Sequence, residues 1–220
     1  MSKFFHTNEK EFQNNFKTGA VIYIKCDTSL KPLFTVIQSR EADNITFRVD
    51  DSFLNERALK GSPMTGQLLT SKYEYVFKGM LIDVQIAYPH NASMIIDKVE
   101  RYPNKRKAKR YNVNIPANII SGKEDKLQYI VVKNISETGL CFATNDKFKI
   151  KEKVKLRFNN PVTKEDLELR GVIIRAGDCN GVCEYGVINI HIDEHNKENL
   201  DLLLSKLEDD EKFMIAEYLK

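Results

Sequence analysis

Short runs in which apolar and polar residues alternate constrain the fold of this chain more than any other feature. The clearest is Ile45-Thr46-Phe47-Arg48-Val49. Successive side chains of an extended backbone point to opposite faces, so Ile45, Phe47 and Val49 share one face and Thr46 and Arg48 the other. Comparable strand-like runs occupy Val21 to Cys26, Leu33 to Gln38, Gln67 to Leu69, Glu74 to Tyr88 and Ser93 to Val99. A further set follows at Val113 to Ile120, Leu127 to Ile135, Gly139 to Ala143, Val154 to Phe158, Leu167 to Arg175 and Tyr185 to Ile192. Polar segments separate the runs, and Glu-Ala-Asp-Asn at 41–44 reads as a hairpin turn.

Helical periodicity is sparse. A short polar lead from Asn8 to Lys17 ends at Gly19, and near the C-terminus Leu200, Leu203, Leu204 and Leu207 recur at i, i+3, i+4 and i+7. Met214, Ile215, Tyr218 and Leu219 either extend that stripe or form a second short helix after the acidic run at 208–211. Many short strands with few helical periods predict a mainly β fold of small barrels or sandwiches.

With 220 residues, of which 42% are hydrophobic, the chain is long enough for two small domains, each with its own core. The strand runs fall into two groups, which sets the expected boundary at residues 1–100 and 101–220. A net charge of +3 is too small for a dedicated DNA-binding protein, so positive potential is concentrated locally. No apolar stretch approaches the roughly 18 residues of a membrane span, and the N-terminal segment lacks the apolar core of a signal peptide. A cytoplasmic protein is expected. Cys26 and Cys141 sit singly in apolar strand-like runs, while Cys179 and Cys183 are spaced C-x-x-x-C without a second ligand pair. Free thiols are expected, with neither a metal site nor a cofactor.

The local positive charge lies in a basic run of Arg101, Lys105, Arg106, Lys107, Lys109 and Arg110. Such runs are commonly solvated linkers or general nucleic-acid patches. What sets this one apart is its combination with Asn134, Ser136 and Gly139 in an N-x-S-x-x-G turn further along the chain. Arg106 and Arg110 form R-x-x-x-R. The two halves, in this order and with β-rich sequence after them, resemble the cyclic di-GMP site of PilZ domains.

That resemblance covers residues 102 to about 193 and implies a PilZ-like barrel with a C-terminal helical tail. It implies binding of cyclic di-GMP by Lys105, Arg106, Arg110, Asn134, Ser136 and Gly139. The residue types suit such a ligand, which offers two phosphodiester anions and two guanine edges. A guanidinium forks onto phosphate oxygens or onto guanine O6 and N7, and its flat face stacks on a purine. Asn134 can donate and accept at a guanine edge, Ser136 adds a hydroxyl, and Gly139 keeps a Cβ out of a close approach. Lys107 and Lys109 read as solvent-facing charges that steer an anion inward.

The first strand group resembles the N-terminal barrel of YcgR-type flagellar-brake proteins. It shares an F-x-x-G entry at Phe16 to Gly19, an aromatic strand at Tyr73, Tyr75 and Phe77, and a direct hand-over into the arginine arm. The aromatic stripe suits inward-facing core better than a stacking platform for bases. Together the resemblances imply two small β-barrels in tandem and a bacterial second-messenger receptor. The expected output is a changed interdomain arrangement signalled to a protein partner, either the flagellar motor or envelope machinery, that controls motility or surface behaviour. Two other classes stay open: a PilZ-like interaction module that ignores the dinucleotide, and a single-stranded nucleic-acid-binding protein. An enzyme is not expected. His191-Ile-Asp-Glu194-His195 matches H-x-x-E-H, but the first histidine lies on an alternating strand, so the ligands would not converge as on one helix.

Overall fold

The structure, a computed structural model, describes residues 14–26, 32–55, 59–121, 127–179 and 182–219. The chain divides into two compact units, one ending at Lys105 and taking in the residues from Lys212 onward, the other running from Arg106 to Glu211. The sequence pattern places this boundary at 100/101 and the whole C-terminal tail in the second domain.

The first unit holds β1 (Val21–Cys26), β2 (Leu33–Glu41), β3 (Asn44–Arg48), helix α1 (Asp51–Leu54), β4 (Pro63–Leu69), β5 (Tyr73–Gln85) and β6 (Asn91–Pro103). The strands close into a barrel in the order β1-β2-β3-β6-β5-β4. The alternation at 45–49 works as expected, since Ile45 and Phe47 are fully buried. Tyr75 and Phe77 are core residues, and Phe16 packs edge-on against the Phe77 ring at 5.1 Å. In the aromatic stripe Tyr73 takes a cation, the Arg101 guanidinium 4.6 Å above its ring. Arg101 therefore belongs to β6, not to the basic arm. Strand β6 continues to Pro103 because Asn104 ties the chain down, its N–H donating to the Lys72 carbonyl and its Nδ2 to that of Thr70.

One expectation in this unit needs correction. Residues 86–88 lie outside β5, which ends at Gln85. The short helix α1 carries no apolar period long enough to announce it. It starts where the Asp50 carboxylate accepts from the Phe53 N–H, a side-chain N-cap. Most of the polar lead from Asn8 to Lys17 lies outside the described residues.

The second unit holds β7 (Tyr111–Ser121), β8 (Gln128–Ser136), β9 (Gly139–Thr144), β10 (Lys153–Asn159), β11 (Asp166–Cys179), β12 (Val182–His191) and most of helix α2 (Glu194–Tyr218). Its strands close in the order β10-β11-β12-β9-β8-β7, around a core that includes Ile119, Val132, Phe142, Leu156, Leu169 and Ile173. Leu200 and Leu203 of α2 are buried in that core, and Leu204 and Leu207 pack against it. Asp193 precedes the helix and caps it, its carboxylate accepting from the Asn196 N–H. A buried polar contact fixes its first turns, with Asn160 Nδ2 donating to the Asn199 carbonyl and Thr163 to Asn199 Oδ1.

Helix α2 does not break at the acidic run. Lys206 and Asp210 form an i, i+4 ion pair at 2.7 Å, and the helix continues to Tyr218. Its last turn groups with the first unit. There the Tyr218 carbonyl accepts from Gln38 Nε2 at 2.7 Å and from the Arg48 guanidinium at 3.3 Å. A cation beside the C-terminal carbonyls also opposes the negative end of the helix dipole. No helix among the described residues is long and apolar enough to cross a membrane.

Candidate functional site

Arg110, Asn134, Ser136 and Gly139 line one cavity of about 200 Å³ on the second barrel, together with Thr138, Cys141, Ile174, Arg175, Gly186 and Ile188. Four of the six residues singled out from sequence therefore meet. Lys105 and Arg106 do not line it. Arg106 is close enough to act electrostatically on Arg110, while Lys105 ends the first unit.

The strand pairing explains how these residues come together. Asn112 on β7 faces Asn134 on β8, so the chain entering β7 delivers Arg110 beside the end of β8. Across the barrel wall Asn134 faces Cys141, Cys141 faces Gly186, and Gly186 faces Arg175. This is one row running through β8, β9, β12 and β11. Two bulges bracket it, one on β8 between Val132 and Asn134 and one on β11 between Ile173 and Arg175. A bulge adds a residue to one strand and re-aims side chains that strict alternation would send apart. Ile173 is buried whereas Ile174 is 57% exposed, and Ile174 and the adjacent Arg175 both line the cavity.

The turn that closes β8 onto β9 is braced from inside. Ser136 is only 3% exposed, and its Oγ donates to the Gly139 carbonyl at 2.9 Å. The hydroxyl hydrogen is thus engaged within the turn, and a lone pair is what it has left for a ligand. Asn189 holds the turn to β12, its N–H donating to the Thr138 carbonyl and its Nδ2 to that of Glu137. At Gly139 a Cβ would lie 2.2 Å from the Val187 carbonyl oxygen, so the close approach that demands glycine is that of β12. Gly186 serves the site differently, because a Cβ there would sit 3.3 Å from Arg175 Nε and push the guanidinium.

Electrostatically the cavity is cationic. Its described lining carries two guanidinium groups and no carboxylate. Partial burial, followed by repulsion from Arg106 and Arg175, pulls the Arg110 pKa below its usual value. Burial, followed by the nearby Glu184 charge, pushes the Cys141 thiol pKa up, so it stays neutral. Arg175 Nη2 approaches the Cys141 sulfur at 3.8 Å, a weak contact. Two cations held together against their own repulsion, in a wall of Gly, Ser, Thr and Ile, suit the chemistry of an anion with a flat apolar part.

Lys109 is exposed, as expected from the sequence, and also takes a partner. Its Nζ pairs with Glu211 of α2 at 2.7 Å and lies 5.0 Å over the Tyr111 ring. The H-x-x-E-H match is split between elements, with His191 ending β12 and His195 in α2, where its Nε2 lies 3.6 Å from Glu165.

Residues 104–206 match the family model of the PilZ domain. The second barrel is a PilZ domain. In overall structure the chain is similar to MrkH of K. pneumonia, solved as a complex with c-di-GMP, at 10% identity and a TM-score of 0.50, covering 92% of this chain and 91% of that one. It is also similar to Escherichia coli YcgR in complex with c-di-GMP, at 9% identity and a TM-score of 0.47, covering 96% and 97%. A third similar structure is the Bacillus subtilis inhibitor of motility MotI/DgrA, at 13% identity and a TM-score of 0.45, covering 89% and 99%. The MrkH likeness supports the tandem fold. No curated protein sequence matches the chain.

Proposed function

We propose that this chain is a cyclic di-GMP receptor whose site is the cavity on the PilZ barrel. The observation that carries the proposal is the pairing of Arg110 with Arg175 in one carboxylate-free cavity beside Asn134 and the Ser136–Gly139 turn. Two guanidinium groups match the chemistry of the ligand, either a phosphate or the O6/N7 edge of a guanine. Asn134 supplies a donor and an acceptor to a base edge. Ile174 and Ile188 offer apolar surface to a ring face.

The cavity, at about 200 Å³, is smaller than the ~300–1,000 Å³ typical of pockets that enclose a drug-sized ligand. It accommodates one end of the dinucleotide and leaves the rest outside. Residues 104–110 adopt no helix or strand, and they carry Lys105 and Arg106 ahead of Arg110. Closure of this arm over the exposed part of the ligand brings Arg106, and Lys105 behind it, into the site. The output is a change in how the two barrels face each other, read by a protein partner in the motility or envelope machinery.

The test is calorimetric titration of the purified chain with cyclic di-GMP, alongside Arg110→Ala and with GTP and cyclic GMP as controls. Saturable heat with cyclic di-GMP, lost in the variant, supports the receptor. No heat at high ligand concentration refutes it and turns the search to protein or nucleic-acid partners.

A further inference from the structure

The step from Lys109 to Arg110 carries information beyond the ligand contacts. Neighbouring side chains of an extended chain diverge. Here Lys109 reaches Glu211 on helix α2 while Arg110 lines the cavity. The Glu211 side chain is 17% exposed against 52% for Lys109, so the carboxylate is the fixed partner and the lysine is the one held. Tyr111, buried and paired with Ile135 of β8, lies under the Lys109 ammonium. The two residues before Tyr111 are thus clamped on one side by the helix and offered to the ligand on the other.

We propose that Glu211 is a positioning residue of the ligand site: by holding Lys109 on helix α2 it sets Arg110 at the cavity, so that ligand binding and the order of the 205–211 stretch of α2 stabilise each other. This rests on the cavity being a cyclic di-GMP site. Coupling of this kind is reciprocal, since whatever favours the bound arrangement of the arm favours the helix contact by the same factor. The loss of one ion pair of this exposure corresponds to about a two- to fivefold change in equilibrium.

The sign of the effect separates positioning from simple charge. Removing Glu211 makes the chain more positive, which by field alone tightens binding of a dianion. Loss of positioning weakens it. The intact chain is titrated with cyclic di-GMP as wild type, Glu211→Gln, Glu211→Lys and Asp201→Asn. The last removes the same charge from an exposed position of α2 outside the 205–211 stretch. Binding about two- to fivefold weaker in Glu211→Gln and at least as weak in Glu211→Lys, with Asp201→Asn unchanged or tighter, is the expected result. A second pair guards against a helix that unravels. Lys109→Gln and Lys107→Gln lose the same charge from the arm, and the former is expected to bind more weakly. Hydrogen exchange adds a readout that lost charge does not mimic. Cyclic di-GMP slows exchange at both 107–112 and 205–211 in the wild type, but only at 107–112 in Glu211→Lys. Glu211 variants that bind as tightly as wild type or tighter overturn the positioning role and leave the receptor standing. A wild type that does not bind overturns both.

Discussion

Replacing Arg175 with alanine probes the residue on which the cavity depends and which no sequence motif announces. It sits on β11 opposite Gly186 and presents a guanidinium to the same space as Arg110. A forked contact to a guanine edge is worth about 1–3 kcal/mol, so its loss alone weakens binding about 5- to 150-fold. The substitution also relieves repulsion on Arg110 in the empty site, which stabilises the unliganded state and adds to the loss. Arg175 is exposed, so water competes for the contact, and the net expectation stays at about tenfold, or ~1.4 kcal/mol. Arg175→Lys keeps the charge and loses the fork, and should fall between wild type and Arg175→Ala. Calorimetry with cyclic di-GMP at about 0.15 M salt, where exposed charges beyond ~8 Å are largely screened, isolates the local contact. Thermal unfolding of each variant checks that β11 still closes the barrel. Wild-type affinity in Arg175→Ala, with binding abolished in Arg110→Ala, would refute the geometry described here and confine the site to the arm and turn.

The Gly139 and Gly186 positions separate architecture from ligand contact. Gly139→Ala forces β9 away from the Val187 carbonyl, so the melting temperature falls and ligand-induced stabilisation disappears together, as a thermal shift assay would show. Gly186→Ala presses only on a flexible guanidinium, and should weaken binding by less than Arg175→Ala with little change in melting temperature. Arg48 is 8% exposed and holds the last turn of α2, so Arg48→Met should speed hydrogen exchange at 212–219, consistent with loss of a charged hydrogen bond of about 1.5–3 kcal/mol. Asp193 accepts the Asn196 N–H, which lowers its pKa in the folded chain. A group depressed on folding stabilises above its unfolded pKa and loses that contribution as pH falls through the folded value. Asp193→Ala is therefore less stable than wild type at neutral pH, and the gap between the two melting temperatures closes below about pH 4.

The strands were legible because burial on one face imposes a period of two, and runs such as Val21–Cys26 match their observed bounds. The turn at 134–139 was legible because its residue types are tied to local geometry. Arg175 was not, since it reaches the cavity only through non-local pairing of β11 with β12 and through a bulge whose extra residue breaks the alternation. Nothing in Ile173-Ile174-Arg175 distinguishes two outward side chains from one inward and one outward. The ion pair of Lys109 was hidden for a similar reason, although the lysine's exposure was legible. Its partner Glu211 lies 102 residues away, and a helix that continues through an acidic run had to be seen before that carboxylate could be placed.

Each barrel is closed, with every strand hydrogen-bonded on both sides among the described residues. Closure removes the row of unpaired N–H and C=O groups by which sheets aggregate, exchange segments or accept a strand from another protein. A protein that docks on the described strands would therefore read their outward side chains, not add itself to a sheet. Once both barrels have closed, two β units joined in one polypeptide have no free edges with which to pair wrongly. Outer surfaces on such a chain are consequently open to change by point substitution without endangering the fold, because the hydrogen-bonding frame beneath them is already complete.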